Sequence, residues 1–153
     1  MLRKARSLPR GNSVMHWNKT IAVEDLQSLS RQTAAEHCGI EFTQIGDGWV
    51  EATIPLDGRT KDIEGTLHPG ALGILAETIG SIAASLCIDN SRRIGVGQIL
   101  HVNHSVPVSK GPIRAKASAV SILEDSHLWD VEMRDPNGTI VCVAHLTMAI
   151  LDR

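Results

Sequence analysis

The chain has no tyrosine, a single phenylalanine (Phe42) and only three tryptophans, so it offers little surface on which nucleic-acid bases could stack. Positive charge is also scarce where it would matter. The formal net charge is −2, and five of the fifteen Lys and Arg (Arg3, Lys4, Arg6, Arg10 and Lys19) fall in the first twenty residues, which hold no acid. The other ten bases face seventeen acids, so the body of the chain carries about −7, the wrong sign for neutralising phosphates. No nucleic-acid partner is expected. Cysteine is limited to Cys38, Cys87 and Cys142, with no CxxC and no Cys/His ligand spacing. That pattern predicts reduced core thiols in a cytoplasmic protein, with no metal site, cofactor or disulfide needed for folding. At 153 residues one domain can bury roughly 70% of its unfolded surface without such staples.

The basic N-terminal stretch lacks the apolar core of a secretory signal, although its Arg-rich, acid-free character overlaps with that of a transit peptide. It reads as an extension ahead of the folded body. The chain has one long hydrophobic run, the nineteen residues GALGILAETIGSIAASLCI from Gly70 to Ile88, and Glu77 is its only charge. A central Glu, three Gly and two Ser make this run a poor membrane span, and no membrane partner is expected.

Residues 22–37 place Val23, Leu26, Leu29 and Ala34 at near-helical spacing with Glu24 and Asp25 in the first turn, which predicts an amphipathic helix. Asp47-Gly48 then separates two alternating segments, the signature of a β-hairpin. Residues 57–69 are polar and glycine-containing, a long loop into the apolar run. Pro69 suits the first position of a buried helix over 69–88. Four strands are predicted near 94–105, 112–123, 127–134 and 139–150, with Ile140, Cys142, Ala144, Leu146 and Met148 sharing one face of the last. One apolar helix with six strands predicts an α+β fold in which an antiparallel sheet wraps around a long central helix.

Buried, ionised and unpaired, a carboxylate costs several kcal/mol or more, so Glu77 needs a partner, a raised pKa or a cavity. On a helix, Gly73, Glu77, Ser81 and Ser85 form a narrow polar stripe, and Ser81 is placed to hydrogen-bond Glu77 or a water beside it. His68 precedes the helix, whose first-turn amides carry partial positive charge suited to a developing oxyanion. A carboxylate, a hydroxyl and backbone donors are parts that can cleave an activated acyl group. The same residues are also compatible with a structural role, in which Glu77 pairs with a buried cation and His68 is a hydrogen-bonded helix leader.

The segments Gly65-Thr66-Leu67-His68-Pro69-Gly70-Ala71 through Ala76-Glu77-Thr78-Ile79-Gly80-Ser81, together with Val102-Asn103-His104 and the ending Leu146-Thr147-Met148-Ala149-Ile150-Leu151, resemble the hotdog-fold, PaaI-like acyl-CoA thioesterases. The likeness runs from about His16-Trp17 to Leu151. It implies a single hotdog domain over 15–153, with residues 1–14 as a basic N-terminal extension. It implies an acyl-CoA or acyl-carrier-protein substrate, with aryl and medium-chain acyl groups as the candidates, and a homodimer or homotetramer with sites at subunit interfaces. In that frame Glu77 is the nucleophile or general base, Ser81 orients it or the water, and His68 helps hold the thioester. Gly70, Asp62, Asn103 and His104 fall at substrate-facing positions.

Three positions depart from the family pattern. The residue after the histidine, whose backbone N–H usually meets the thioester oxygen, is Pro69, which has no N–H. Loss of one such donor costs about 10²- to 10³-fold in rate unless another, such as Gly70, replaces it. The family's glutamine six residues before the histidine is Asp62, and Val106 stands where arginine is common. Two alternatives therefore stay open at this stage: a non-hydrolytic acyl-thioester-binding or structural hotdog protein, and a dehydratase of hydroxyacyl thioesters.

Overall fold

In a computed structural model, the structure describes Trp17 and residues 21–153; the basic extension over 1–14 lies outside the described residues. The chain runs α1 (Val23–Leu29), α2 (Ala34–His37), β1 (Glu41–Gly46), β2 (Trp49–Ile54), α3 (Pro69–Leu86), β3 (Arg93–His104), β4 (Ile113–Ile122), β5 (Ser126–Arg134) and β6 (Ile140–Asp152). The six strands form one antiparallel sheet in the order β1-β2-β4-β5-β6-β3.

The sheet wraps α3. Leu72, Leu75, Ile79, Ala83 and Ala84 of the helix are buried against Val50, Ala52 and Ile54 of β2, Ala115 and Ala117 of β4, Trp129, Val131 and Met133 of β5, and Ala144, Leu146 and Met148 of β6. Each large apolar side chain so buried contributes roughly 1.5–3 kcal/mol relative to exposure. Gly80 lets the helix approach β6, because a Cβ there would overlap the Leu146 side chain. By length and composition α3 could cross a bilayer, yet it is the core helix beneath this sheet.

The strands and the hairpin turn fall where the sequence predicts them, with Gly48 at φ 72° in the turn. Two local expectations fail. The helix expected over 22–37 is broken into α1 and α2 at Ser30–Thr33, where Gln32 adopts φ 58°. Side chains take over the backbone's hydrogen bonds there. The Thr33 hydroxyl donates to the Ser30 carbonyl (2.6 Å), and the Glu36 carboxylate accepts the Gln32 N–H (2.6 Å). On β6, Ile140 lies outside the buried row, because the β5/β6 register shifts at Met133/Arg134 and Val141 is buried instead.

Candidate active site

The loop from Ile54 to α3 is built by its own polar side chains. The Thr60 hydroxyl donates to the Pro55 carbonyl (2.7 Å), and a bridge joins Lys61 to Leu67. Asp62 organises the next turn: Oδ1 accepts the N–H groups of Glu64 (2.9 Å) and Thr66 (3.0 Å), and Oδ2 accepts the Thr66 hydroxyl (2.7 Å). Those bonds, the Thr66 hydroxyl foremost, hold the Asp62 carboxyl below its ordinary value. Asp62 is therefore ionised at neutral pH with both oxygens committed to the loop.

His68 caps α3. Its Nδ1 accepts the Gly70 N–H at 2.9 Å, and the His68 backbone N–H donates to the Thr60 carbonyl at 2.8 Å. A ring nitrogen that accepts a hydrogen bond carries no proton, so neutral His68 holds its hydrogen on the exposed Nε2. With Pro69 at the first helical position and the Gly70 amide taken up by the ring, Nε2–H is left as the free donor of His68 at this helix mouth.

Beside the mouth is an open cleft of about 360 Å³ lined by Asp62, Thr66, Leu67, Pro69, Leu72 and the segment His104-Ser105-Val106-Pro107-Val108. The sheet thus brings His104, from the end of β3, to the loop carrying Asp62 and Pro69. Asn103, its neighbour in an alternating strand, pairs with Val143 and faces the other way.

Glu77 sits two turns further along α3 and is half-buried. Ser81, one turn on, donates its hydroxyl to Glu77 Oε1 at 2.9 Å and also approaches Met148 Sδ at 3.7 Å. Oε2 has no hydrogen-bond partner among the described residues. The carboxylate lies against Gly97 of β3, a neighbour the sequence reading did not single out. The available signal was a glycine in a strand interior, which Gly97 shares with Gly95.

Among the described residues no cluster of His, Cys, Asp and Glu could hold a metal ion. Cys142 is buried and Cys87 partly so, and burial pushes both thiols up to about 11, which leaves them inert at neutral pH.

A long helix clasped by an antiparallel sheet is the hotdog arrangement, and the comparisons with known proteins agree. Residues 64–142 match the family model of the thioesterase superfamily. The 1,4-dihydroxy-2-naphthoyl-CoA hydrolase of Escherichia coli (strain K12) is 35% identical over 137 residues, covering 90% of this chain and 100% of that protein. The proofreading thioesterase EntH of Cronobacter turicensis is 35% identical over 137 residues, covering 90% and 99%. The crystal structure of a thioesterase from Haemophilus influenzae superposes with a TM-score of 0.86 at 37% identity, covering 90% of this chain and 96% of that one. The chain belongs to the thioesterase superfamily, has its hotdog fold and is a thioester hydrolase. That membership favours hydrolysis over the acyl-binding alternative.

Proposed function

We propose that the chain hydrolyses acyl-CoA thioesters with an aryl or medium-sized acyl group, in a site shared between two copies of the chain, with Glu77 as the working carboxylate. The observation that carries this reading is the Glu77–Ser81 pair. The hydroxyl holds Oε1 and leaves Oε2 free to remove a proton from water or to attack the carbonyl carbon itself. In the first route the water oxygen bonds to the carbonyl carbon, the C–S bond breaks, and the thiolate leaves with the proton that Glu77 collected. In the second, an anhydride forms as the thiolate departs, and water then hydrolyses it.

The carbonyl oxygen needs a donor while this happens. His68 Nε2–H takes that part, with the Gly70 N–H selecting the tautomer that keeps the hydrogen on Nε2. Asp62 supports the loop that presents His68, and His104 borders the acyl cleft.

A site shared by two copies suits this chemistry. His68 and Glu77 are nine residues apart, about 13 Å along a helix axis. A carbonyl held at its oxygen and attacked at its carbon, each at about 3 Å, spans only about 7 Å. That separation favours a site in which the mouth of one helix serves the Glu77 of a second copy. Strand β3 offers the means: it is an edge strand with Ile94, Val96 and Ile99 exposed. It carries Gly97 beside Glu77 near one end and His104 beside the helix mouth at the other. Antiparallel pairing of two β3 edges brings the His104 end of each copy towards the Glu77 region of its partner.

Purified protein screened against aryl-, enoyl- and fatty acyl-CoAs, with the Glu77→Ala variant alongside, tests this reading. Turnover on aryl or medium-chain substrates that disappears in Glu77→Ala is the expected result. Equal turnover by the two proteins contradicts it.

A further inference from the structure

We propose that Gly97 is a positioning residue for Glu77: the absent side chain on β3 makes the slot that holds the carboxylate in its working orientation. The inference rests on the reading of Glu77 as the working carboxylate.

A Cβ added at Gly97 would lie 2.8 Å from Glu77 Cδ and 2.9 Å from Oε2, with Oε1 nearer still. All three approaches are closer than non-bonded carbon contacts allow, so the side chain or its surroundings must move. The surroundings are the more tightly held. Leu75, Ala76, Ile79 and Gly80, which flank Glu77 on α3, are all buried, and Gly80 is already in contact with Leu146. Strand β3 is paired with β6 on both sides of a bulge, from Arg93↔Asp152 to Gly97↔Met148 and from Ile99↔Thr147 to His104↔Cys142. The Glu77 side chain is what yields.

When it yields, it gives up the oxygen that matters. Oε1 is both the atom nearest Gly97 and the acceptor of the Ser81 hydroxyl. Gly97 and Ser81 therefore fix the same oxygen from two sides, which is how Oε2 comes to be the free one. The strand is shaped around this point. The β3/β6 register shifts between Gly97 and Ile99, so Gln98 is an extra residue, and the bulge puts Gly97, beside Glu77, and Leu100, packed on the core, on the strand face turned towards α3.

An internal control lies two residues away. Gly95 is on the same face of the same strand, but a Cβ there would make ordinary contacts, 3.5 Å to Ile150 Cδ1, 3.5 Å to Met148 Cε and 3.9 Å to Ala84 Cβ. Any general penalty for replacing a glycine in this strand applies to both positions. Displacement of the carboxylate applies only at Gly97.

The test compares Gly97→Ala, Gly95→Ala, Glu77→Gln and Glu77→Asp, with Glu77→Asp also introduced into the Gly97→Ala background, by steady-state kinetics and thermal melting. Gly97→Ala is expected to lower kcat by about 10²-fold with KM changed by less than about threefold, since a misplacement of about 1 Å costs that much. Gly95→Ala keeps kcat within about twofold, having only ordinary contacts to make. The shorter carboxylate is the sharper readout: Glu77→Asp lowers kcat in the parent and raises it in Gly97→Ala, because removing a methylene restores the room. Should Gly97→Ala fail to fold, the same argument requires the double variant to fold.

Parent-like kcat in Gly97→Ala while Glu77→Gln is inactive overturns the inference and leaves the reading of Glu77 standing. An equal loss in Gly95→Ala, or no recovery with Glu77→Asp, also overturns it. Full turnover by Glu77→Gln removes the reading itself and the inference with it.

Discussion

The two ends of the proposed chemistry lie on one helix, and they are built in opposite ways. At the mouth of α3 the polar groups are spent on one another: Asp62 on Glu64 and Thr66, the Gly70 amide on His68, and the Thr60 hydroxyl on Pro55. Two turns along, Glu77 has one hydrogen bond among the described residues, from Ser81, and otherwise rests on bare backbone at Gly97. A heavily bonded mouth holds a geometry, whereas a sparsely bonded carboxylate keeps an oxygen available for reaction. The first suits binding a carbonyl, the second attacking it or its water, and their separation along the helix favours the proposed site shared by two copies of the chain.

The largest expected effect tests that separation. Glu77→Gln and His68→Ala, each nearly inactive alone, are co-expressed so that their subunits mix. If one copy supplies the mouth and the other the carboxylate, half of the dimers are mixed and each has one intact site, so activity returns to about a quarter of the parent value. No recovery in a mixture shown by mass spectrometry to contain the heterodimer places both groups in one chain's site and breaks the comparison.

Next in size is the mouth itself. His68→Ala removes both the Nε2–H donor and the cap on the Gly70 amide, and kcat is expected to fall by about 10²-fold or more. Pro69→Gly restores a backbone N–H but leaves His68 in place, so kcat should change by no more than about threefold, the carbonyl already having its donor. A large gain in Pro69→Gly would show that the carbonyl lacks a donor at this mouth and that His68 does not supply one. Ser81→Ala takes away a hydrogen bond to a charged group, worth about 1.5–3 kcal/mol when buried and less at this half-buried site, and kcat should fall about tenfold.

The smallest effect is on stability rather than rate, and lies outside both regions. His127 is buried, and burial holds its imidazole below the ordinary 6.5. The unfolded chain then binds this proton more readily than the folded one, so stability is lost as pH falls below about 6.5 and through the folded value. Urea midpoints measured between pH 5 and 8 should decline towards acid in the parent and do so less steeply in His127→Gln.

Much of this was legible in the sequence, for identifiable reasons. The helix Pro69–Leu86 stood out because its apolar run is too long for a strand and opens on a proline, and the Glu77–Ser81 bond follows from a spacing of four. Strand ends fell where Gly, Pro, Asn and Asp punctuate the chain. What stayed hidden depended on atoms distant in sequence or on side chains competing for backbone. Nothing in the spacing of Ser30 to Thr33 showed that a hydroxyl and a carboxylate would break the helix there. The register shift that moves Ile140 off the buried row exists only once β5 and β6 are paired. Gly97 is the clearest case: its importance comes from a helix residue twenty positions earlier, and only the closed fold brings them together. Similarly, Asp62 looks like an unhelpful charge until its two oxygens are found committed to the loop.

The most direct measurement is single-turnover hydrolysis of the best acyl-CoA substrate by Glu77→Gln, in protein whose fold and oligomeric state match the parent. Glutamine keeps the size and the acceptor oxygen for Ser81 but can neither take a proton from water nor form a productive anhydride. The account predicts a rate lower by at least about 10³-fold. A rate within a few-fold of the parent would show that the charge on α3 serves the fold and not the chemistry.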